Sequence, residues 1–325
     1  METLYMSEPQ YWVLAYYIYT NISDPHREVE KHKQFLQDRD AVSRIYISEE
    51  GINGQMSAEK EDAKAYIEWM QSDPRLQKMS LKVHLHHENV FPRLTIKYRE
   101  QLVAFDRKVD LSNSGTHVKP EDWKKMLESD EEYHLIDVRN DYETKIGHFK
   151  GADLPLCGAY REFPEYVKDL KKKKDPSKTK VMMCCTGGIR CETFSSYMKE
   201  EGFTEVYQLE GGLINYGLKV GKAHWEGHLF VFDDRLVVPL DGNMNDTHSE
   251  KDLAPCYFCG THTHHYHNCA NMDCNKLFLS CHTCYTDKKG ACNHSCEVSP
   301  RIRPIIESDL TKPFRKRHLI QTHNI

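Results

Sequence analysis

The 325-residue sequence lacks any long hydrophobic run. No segment approaches the roughly 20 consecutive apolar residues that a membrane-spanning helix needs, and 29% of the residues are charged. The first residues, METLYMSEPQ, have neither the basic region nor the apolar region of an export signal. We therefore expect a cytoplasmic protein without a membrane partner.

The sequence also lacks an internal repeat and any fingerprint for a flavin or nicotinamide cofactor, so repeat architectures are excluded and these redox cofactors are not expected. The overall charge is nearly balanced, with 44 basic and 49 acidic residues. Residues 251–325 differ, because they carry ten basic and six acidic residues. This local excess favours a polyanionic partner for the C-terminal quarter.

Cysteine, in contrast, is plentiful. Without an export signal, 12 unevenly clustered cysteines favour free thiols and metal ligands over disulfides. Within residues 250–325, two C-x-x-C pairs, one C-x4-C and one C-x3-C provide ligands for two tetrahedral zinc sites. These ligands are Cys256, Cys259, Cys269, Cys274, Cys281, Cys284, Cys292 and Cys296. We expect a small Cys-rich module that zinc holds folded, with a ligand grouping that the spacing leaves open.

The first third of the chain alternates between strand and helix patterns. Two amphipathic segments predict helices, one with Val29 and Leu36 and one with Ala63, Ile67 and Met70 on the buried face. Four apolar segments predict strands: YWVLAYYIYT, SRIYIS, GINGQMS and LKVHLHH. The order β-α-β-β-α-β predicts a ferredoxin-like α+β domain over residues 1–110.

The middle of the chain has the pattern of a parallel sheet. Residues 106–120 are polar and rich in turn-forming types, which predicts a linker. Then follow a strand, a crossover, a strand, a helix and a strand, so residues 111–240 are expected to form an α/β domain. The fold class is therefore α/β overall, with the α+β domain before this domain and the Cys-rich module, residues 250–325, after it.

The segment CCTGGIRCE, Cys184–Glu192, lies where a strand of this sheet passes into a helix. Successive backbone N–H groups and the positive end of the helix meet there, so a thiolate is stabilised and its pKa falls. Counted from Cys184, the loop has the length found in cysteine-dependent phosphatases; counted from Cys185, it has the shorter rhodanese length. Met183, Cys191 and Glu192 do not fit the phosphatase pattern, which favours Cys185.

Two further motifs establish a resemblance. The run LIDVRNDYETKIGHFKGA resembles the rhodanese signature, and LEGGLINYG resembles the end of that domain. The loop CTGGIRCE and the hairpin EGINGQ are similar to those of the rhodanese-domain tRNA uridine hydroxylases, the TrhO or YceA-like family. In the signature, the matching positions are Asp137, Arg139, Glu143, Gly147, His148, Gly151 and Ala152.

The resemblance implies an N-terminal acylphosphatase-like domain, a central rhodanese-like domain and an oxygen-dependent hydroxylation of the tRNA wobble uridine, at position 34, to 5-hydroxyuridine. Molecular oxygen would be the co-substrate, and the tRNA anticodon region the partner. Cys185 would be the catalytic, persulfide-forming residue, and Asp137, Arg139 and Glu143 would support the sheet and loop. The residues of the active-site loop would be Thr186, Gly187, Gly188, Ile189 and Arg190.

Other functions remain open on the residues alone. A sulfurtransferase would pass sulfur through a Cys185 persulfide, from thiosulfate or from a sulfur donor protein. A non-catalytic RNA-binding or sulfur-sensing module would keep the loop without using it. The basic segments RIRP and RKRH, residues 301–304 and 315–318, favour a tRNA contact at the C-terminal end.

Overall fold

The computed structural model of the chain describes residues 10–243, 251–310, 312 and 313. The chain divides into a first unit, Met1–Asn140 with Asp153–Gly221, and a second unit, Asp141–Ala152 with Lys222–Ile325. In the described ranges, none of the helices is long and apolar enough to cross a membrane. The three domain limits expected from the sequence stay a prediction.

The described chain contains short strands and helices throughout. Up to Asn140 they are β1 (Tyr11–Tyr19), α1 (Pro25–Leu36), β2 (Ala41–Ser48), β3 (Gly51–Glu59), α2 (Lys60–Gln71), β4 (Ser80–His86), β5 (Ile96–Tyr98), β6 (Thr116–Val118), α3 (Pro120–Leu127) and β7 (His134–Asp137). After Asn140 they are α4 (Asp141–Thr144), β8 (Gly147–Phe149), α5 (Phe163–Lys171), β9 (Lys180–Cys184), α6 (Ile189–Glu200), β10 (Glu205–Leu209), α7 (Gly212–Val220), β11 (Trp225–Gly227), β12 (Leu229–Phe230), β13 (Val237–Val238), β14 (Tyr266–Asn268), β15 (Leu277–Leu279), α8 (His282–Asp287) and α9 (His294–Glu297).

The N-terminal part of the first unit is one sheet with the strand order β4-β1-β3-β2-β5. The pairs β1–β3, β1–β4 and β2–β3 are antiparallel, as expected for a ferredoxin-like domain, and this part of the prediction is confirmed. The sheet has one strand more than predicted, because β5 pairs in parallel with β2. Its sequence pattern is too short, at three residues, to be recognised as a strand.

Two helices pack against this sheet. Helix α1 starts with Pro25 after an Asp24 cap, whose carboxylate accepts a hydrogen bond from the Arg27 N–H over 2.9 Å. Helix α2 buries Ala63, Tyr66 and Met70. Ile67, which was predicted to be buried, is only partly buried, and Tyr66 takes the central position instead. The ring of Tyr66 packs against other aromatic side chains such as Trp69.

The second sheet of the first unit is parallel throughout, with the strand order β6-β10-β9-β7. The predicted parallel sheet of an α/β domain is therefore confirmed. Strand β6 lies inside the segment predicted to be a linker, and that prediction is wrong at Thr116–Val118. The error arises because β6 is short and mostly exposed, so it has no apolar pattern.

The second unit consists of short elements. Strand β8 pairs with β11, β12 with β13, and β14 with β15, each in antiparallel fashion. The unit has one hydrophobic cluster around Phe230 and Tyr266 and another around Phe278 and Tyr285. The latter includes three cysteines, Cys269, Cys292 and Cys296. Clusters this small bury little apolar surface, so we expect bound metal to contribute to the stability of the cysteine-rich part.

Candidate active site

Strand β9 ends at Cys184 and helix α6 begins at Ile189, so Cys185–Gly188 form the connecting loop. Gly188 has a φ of 100°, a conformation that a residue with a side chain adopts only with strain. The loop lies at the carboxyl end of a parallel sheet and at the positive end of a 12-residue helix. An anion is stabilised at this position.

Cys185 is fully buried within the loop. The backbone N–H of Gly188 donates a hydrogen bond to its Sγ over 3.2 Å. Burial acts to raise the pKa of the thiol, but a hydrogen bond from the Cys191 thiol and the charge of Arg190 outweigh it. Together with the backbone N–H groups, they lower the pKa of Cys185 to about 6, so the group is mainly a thiolate at pH 7.

The two neighbouring cysteines are neutral thiols. Burial raises the pKa of Cys184 well above its ordinary value, and the charge of Asp137 raises it further. Burial and the hydrogen bond to Cys185 likewise raise the pKa of Cys191. Cys184 is the last residue of β9 and is buried, whereas Cys191 is a hydrogen-bond partner of Cys185.

Hydrogen bonds from Arg190 and from the start of helix α7 hold the loop in place. Arg190 is 8% exposed, and its Nη2 donates to Thr186 Oγ1 over 3.2 Å. On the other side, the Leu213 N–H of helix α7 donates to the Cys185 carbonyl over 2.9 Å, and the Ile214 N–H donates to the Thr186 carbonyl over 3.1 Å. The start of α7 thus fixes the backbone of the loop.

We expect Gly212→Ala to destabilise the first unit by about 1–3 kcal/mol, because Gly212 has a φ of 69° and an added Cβ would lie 2.5 Å from the Cys185 carbonyl oxygen. The matched control is Gly187→Ala, since an added Cβ there meets nothing within 4 Å. Urea unfolding of both variants measures the free energies. Equal stabilities would contradict this account of the loop.

The supporting residues predicted from the signature fall in different places. Arg139 Nε and Nη2 donate to the two carboxylate oxygens of Asp137 over 2.8 and 2.6 Å, and both side chains are fully buried at the end of β7, where Asp137 is the last residue. A paired charge of this kind braces the backbone where the strand ends. Glu143 is buried in α4 of the second unit. His148 on β8 is also in this unit, and its Nδ1 lies 2.9 Å from the Thr144 carbonyl oxygen.

The N-terminal sheet also contributes to the loop, which the sequence did not predict. Lys82 on β4 donates from Nζ to the Gly187 carbonyl over 2.9 Å. Tyr17 on β1 donates its hydroxyl to Glu192 Oε1 over 2.9 Å. Motif spacing gives no sign of these contacts, because the two positions precede the loop by more than 100 residues.

Glu192 connects several of these groups at the start of α6. Its Oε1 lies 2.8 Å from His117 Nε2, and its Oε2 accepts a hydrogen bond from Gln208 Nε2 over 3.2 Å. Burial acts to raise the pKa of Glu192, but the bonds from His117, Tyr17 and Gln208 lower it below its ordinary value. The same contact with Glu192 raises the pKa of His117. The pair is thus charged at mildly acidic pH.

A cavity of about 650 Å³ opens beside this network in the first unit. Its lining includes Tyr17, Tyr19, Lys78, His117, Glu192 and Gly211. The volume is within the range of small-molecule sites, and the lining offers aromatic surfaces together with hydrogen-bonding groups. A single nucleobase could be accommodated there.

The eight cysteines of the second unit form two groups of four. Within each group the sulfur atoms lie within 4.8 Å of one another: Cys256, Cys259, Cys281 and Cys284 in one, and Cys269, Cys274, Cys292 and Cys296 in the other. Separations of 3.8 Å between Cys259 and Cys281 and 3.7 Å between Cys274 and Cys292 match the about 3.8 Å edge of a tetrahedron with 2.3 Å zinc–sulfur bonds. Both groups could hold a metal such as zinc.

A third group in the second unit brings two histidines to one carboxylate. His264 Nδ1 and His228 Nε2 lie 2.6 and 3.0 Å from Asp252 Oδ1. These are hydrogen-bond distances, and hydrogen bonding from the two imidazoles accounts for the arrangement.

The basic residues predicted to contact tRNA are only partly at the surface. Arg303 is buried, and its Nη1 donates to Asp309 Oδ2 over 2.6 Å, so this residue is structural and its prediction as a phosphate contact is wrong. Arg301 is exposed and paired with Asp273. The segment RKRH, residues 315–318, lies outside the described residues.

Comparison with known proteins gives three consecutive matches. Residues 11–102 match the UPF0176 acylphosphatase like domain, residues 119–218 the Rhodanese-like domain, and residues 226–297 the Rhodanase C-terminal family. A protein of Protochlamydia amoebophila named tRNA uridine(34) hydroxylase is 53% identical over 96% of both chains. The chain belongs to the tRNA uridine(34) hydroxylase family.

Other members of the family are similar over the same length. The protein of this name from Chlamydia trachomatis serovar D is 47% identical over 97% of this chain and 95% of its own. That of Chlamydia pneumoniae is 48% identical over 97% and 96%. The resemblance inferred from the sequence motifs is thereby confirmed. A crystal structure of a rhodanese-like domain protein from Staphylococcus aureus covers 31% of this chain and 90% of its own, with 21% identity and a TM-score of only 0.27.

Proposed function

We propose that this chain catalyses the oxygen-dependent hydroxylation of the wobble uridine of tRNA, at position 34, to 5-hydroxyuridine. The observation that carries the proposal is the 53% identity, over nearly the full length, to a relative with that name. The thiol of Cys185, with a pKa of about 6, supports it because such a group is reactive at neutral pH. The anticodon region of tRNA is the partner, and the cytoplasm is the location.

In this proposal Cys185 is the catalytic residue. Its cradle consists of Thr186, Gly187, Gly188, Ile189 and Arg190. Asp137 and Arg139 support the sheet and the loop from the end of β7, and the eight cysteines of the second unit bind two structural zinc ions. The loop also holds the hydroxyl of Thr186, but a hydroxyl does not ionise near pH 7, so the proposal gives the covalent step to the Cys185 thiolate.

Two roles of the thiolate are compatible with this site. As a nucleophile, Cys185 forms a bond to a carbon of the uracil ring, and the displaced π electrons raise the electron density at the neighbouring carbon, which then attacks molecular oxygen to give a hydroperoxide. A two-electron reductant would convert the hydroperoxide to a hydroxyl group and release the second oxygen atom as water. Loss of the ring proton beside the hydroxyl group would then expel the Cys185 thiolate and restore the double bond. As a persulfide, Cys185 presents its outer sulfur atom to the ring. Both roles require the ionised form, so a measured Cys185 pKa above 9 would contradict each of them.

The origin of the new oxygen atom tests the proposal. In cells that depend on this chain, growth under ¹⁸O-labelled oxygen gas is expected to give 5-hydroxyuridine that carries ¹⁸O, because oxygen is the co-substrate. Mass spectrometry of tRNA nucleosides measures the label, with growth in ¹⁸O-labelled water as the control. Label from water alone would overturn the oxygen-dependent reaction.

A sulfurtransferase is the second candidate, because the loop counted from Cys185 has the length found in rhodaneses and residues 119–218 match the Rhodanese-like domain. Cys185 would then take sulfur from thiosulfate or from a sulfur donor protein and pass it on. A chain that forms thiocyanate from thiosulfate and cyanide but leaves tRNA unchanged would favour this function. A chain inactive in both assays would favour a non-catalytic RNA-binding or sulfur-sensing module.

A further inference from the structure

A lysine from the N-terminal sheet is buried against the cysteine loop. Lys82 on β4 is 4% exposed. Its Nζ donates to the Gly187 carbonyl over 2.9 Å and lies 4.9 Å from the centre of the Tyr17 ring. Lysine is rarely buried, because removing an ammonium group from water is costly unless the charge is compensated. The groups that contact Lys82 are therefore those that stabilise its buried charge.

The groups that compensate the charge belong to the active-site loop and its surroundings. Burial lowers the pKa of Lys82 to about 8, and the negative charges of Cys185, Glu192 and Glu210 oppose that decrease. The ammonium group is therefore mostly protonated at pH 7. Because the attraction between two charges is mutual, a protonated Lys82 also favours the thiolate form of Cys185.

The hydrogen bond of Lys82 ends on the peptide group that contacts the sulfur. The Gly187 carbonyl and the Gly188 N–H belong to one peptide plane and, in a trans peptide, point in opposite directions. Lys82 binds the carbonyl end over 2.9 Å, and Cys185 Sγ accepts from the N–H end over 3.2 Å. This peptide lies between two glycines, so side chains do not restrict its rotation. The lysine selects one of its orientations.

We propose that Lys82 is a positioning residue for the Cys185 thiolate: its ammonium group holds the Gly187–Gly188 peptide with the N–H directed at Sγ and supplies a positive charge beside the anion. The inference rests on the proposed function, which it extends by giving the N-terminal domain a part in the reaction. The bond to Lys82 also polarises the peptide, which strengthens the hydrogen bond to sulfur. The cysteine loop would then be complete only together with the N-terminal sheet.

Two variants separate the charge from the hydrogen bond. Lys82→Met removes both, whereas Lys82→Gln keeps a donor and removes the charge. The readout is the pH dependence of alkylation of Cys185 in the full chain, followed on its peptide by mass spectrometry. We expect the Cys185 pKa to rise by about one unit in Lys82→Met and by less in Lys82→Gln. The pKa in Lys97→Met should stay at the wild-type value, since Lys97 on β5 is exposed.

The formation of 5-hydroxyuridine is measured in the same variants. A decrease that follows the loss of thiolate, and that raising the pH partly restores, would support the proposal. A folded Lys82→Met protein with the wild-type Cys185 pKa would overturn it. Loss of the fold in both variants would also overturn it, because Lys82 would then be a structural residue. Absence of 5-hydroxyuridine with the wild-type chain would instead contradict the proposed function, since the alkylation measurement does not involve tRNA.

Discussion

Cells whose only copy of this chain carries Cys185→Ser are expected to contain no detectable 5-hydroxyuridine in their tRNA. A serine hydroxyl does not ionise near pH 7, so the loop would cradle a neutral group in place of a thiolate. Loss of the nucleophile lowers the rate of such reactions by about a thousandfold or more. Nucleoside analysis by mass spectrometry measures the modification directly.

Cys184→Ser is the matched control, because it makes the same atomic change one residue earlier. Burial keeps the Cys184 thiol protonated, so its loss should leave 5-hydroxyuridine in place. A decrease in stability of about 1–3 kcal/mol is expected, since a hydroxyl would be buried in the strand. Loss of the modification in Cys184→Ser, but not in Cys185→Ser, would overturn the assignment of the catalytic cysteine.

The second large effect that we expect is on the folding of the second unit when zinc is removed. We expect two zinc ions per chain and a decrease to one in Cys259→Ser, because this residue belongs to the first group of four cysteines. Structural zinc contributes about 10–16 kcal/mol to the folding of small modules, more than we expect the small hydrophobic cluster around Phe278 and Tyr285 to replace. Atomic absorption spectroscopy measures the metal content.

Hydrogen exchange gives a second measurement of the same prediction. A chelator should expose the amides near both cysteine groups of the second unit to exchange while the sheets of the first unit stay protected. Cys157→Ser is the control, because Cys157 is buried in the first unit and belongs to neither group, so two zinc ions should remain. An unchanged metal content in Cys259→Ser, or unchanged exchange after chelation, would contradict two structural zinc sites.

Much of the fold could be predicted from the sequence because strongly periodic segments depend on local pattern. The antiparallel pairs of β1, β3 and β4 and the parallel pairs of β7, β9 and β10 were expected from apolar runs and intervening helices. In the two sheets of the first unit, the strands that the sequence did not predict are β5 and β6, with three residues each. The short strands of the second unit, β8 and β11 to β15, were not predicted either. Such short strands form because their backbone groups bond to a neighbouring strand, and this depends on tertiary context rather than on a periodic pattern of apolar residues in the sequence.

The cysteine loop could be found from its residue types and spacing, but the ionisation state of its thiols could not be predicted from them. Thiol ionisation depends on the balance between burial and a few hydrogen bonds, and neither quantity can be read from spacing. Cys191 is an example, since it lies in the first turn of α6 and its thiol forms a hydrogen bond to Cys185 that lowers the pKa of Cys185. The grouping of the eight cysteines of the second unit was also open, because spacing along the chain does not show which of them lie together.

The sequence by itself determined the family, the order of the domains, the cysteine at the strand end and the eight potential metal ligands, because each depends on residue type and on distance along the chain. Only the tertiary structure decided which cysteines share a site and which groups surround Cys185. Lys82 and Tyr17 reach the loop from strands more than 100 residues earlier. Contacts of that kind follow from the packing of two sheets in the first unit, and packing is a property of the folded chain rather than of any local segment.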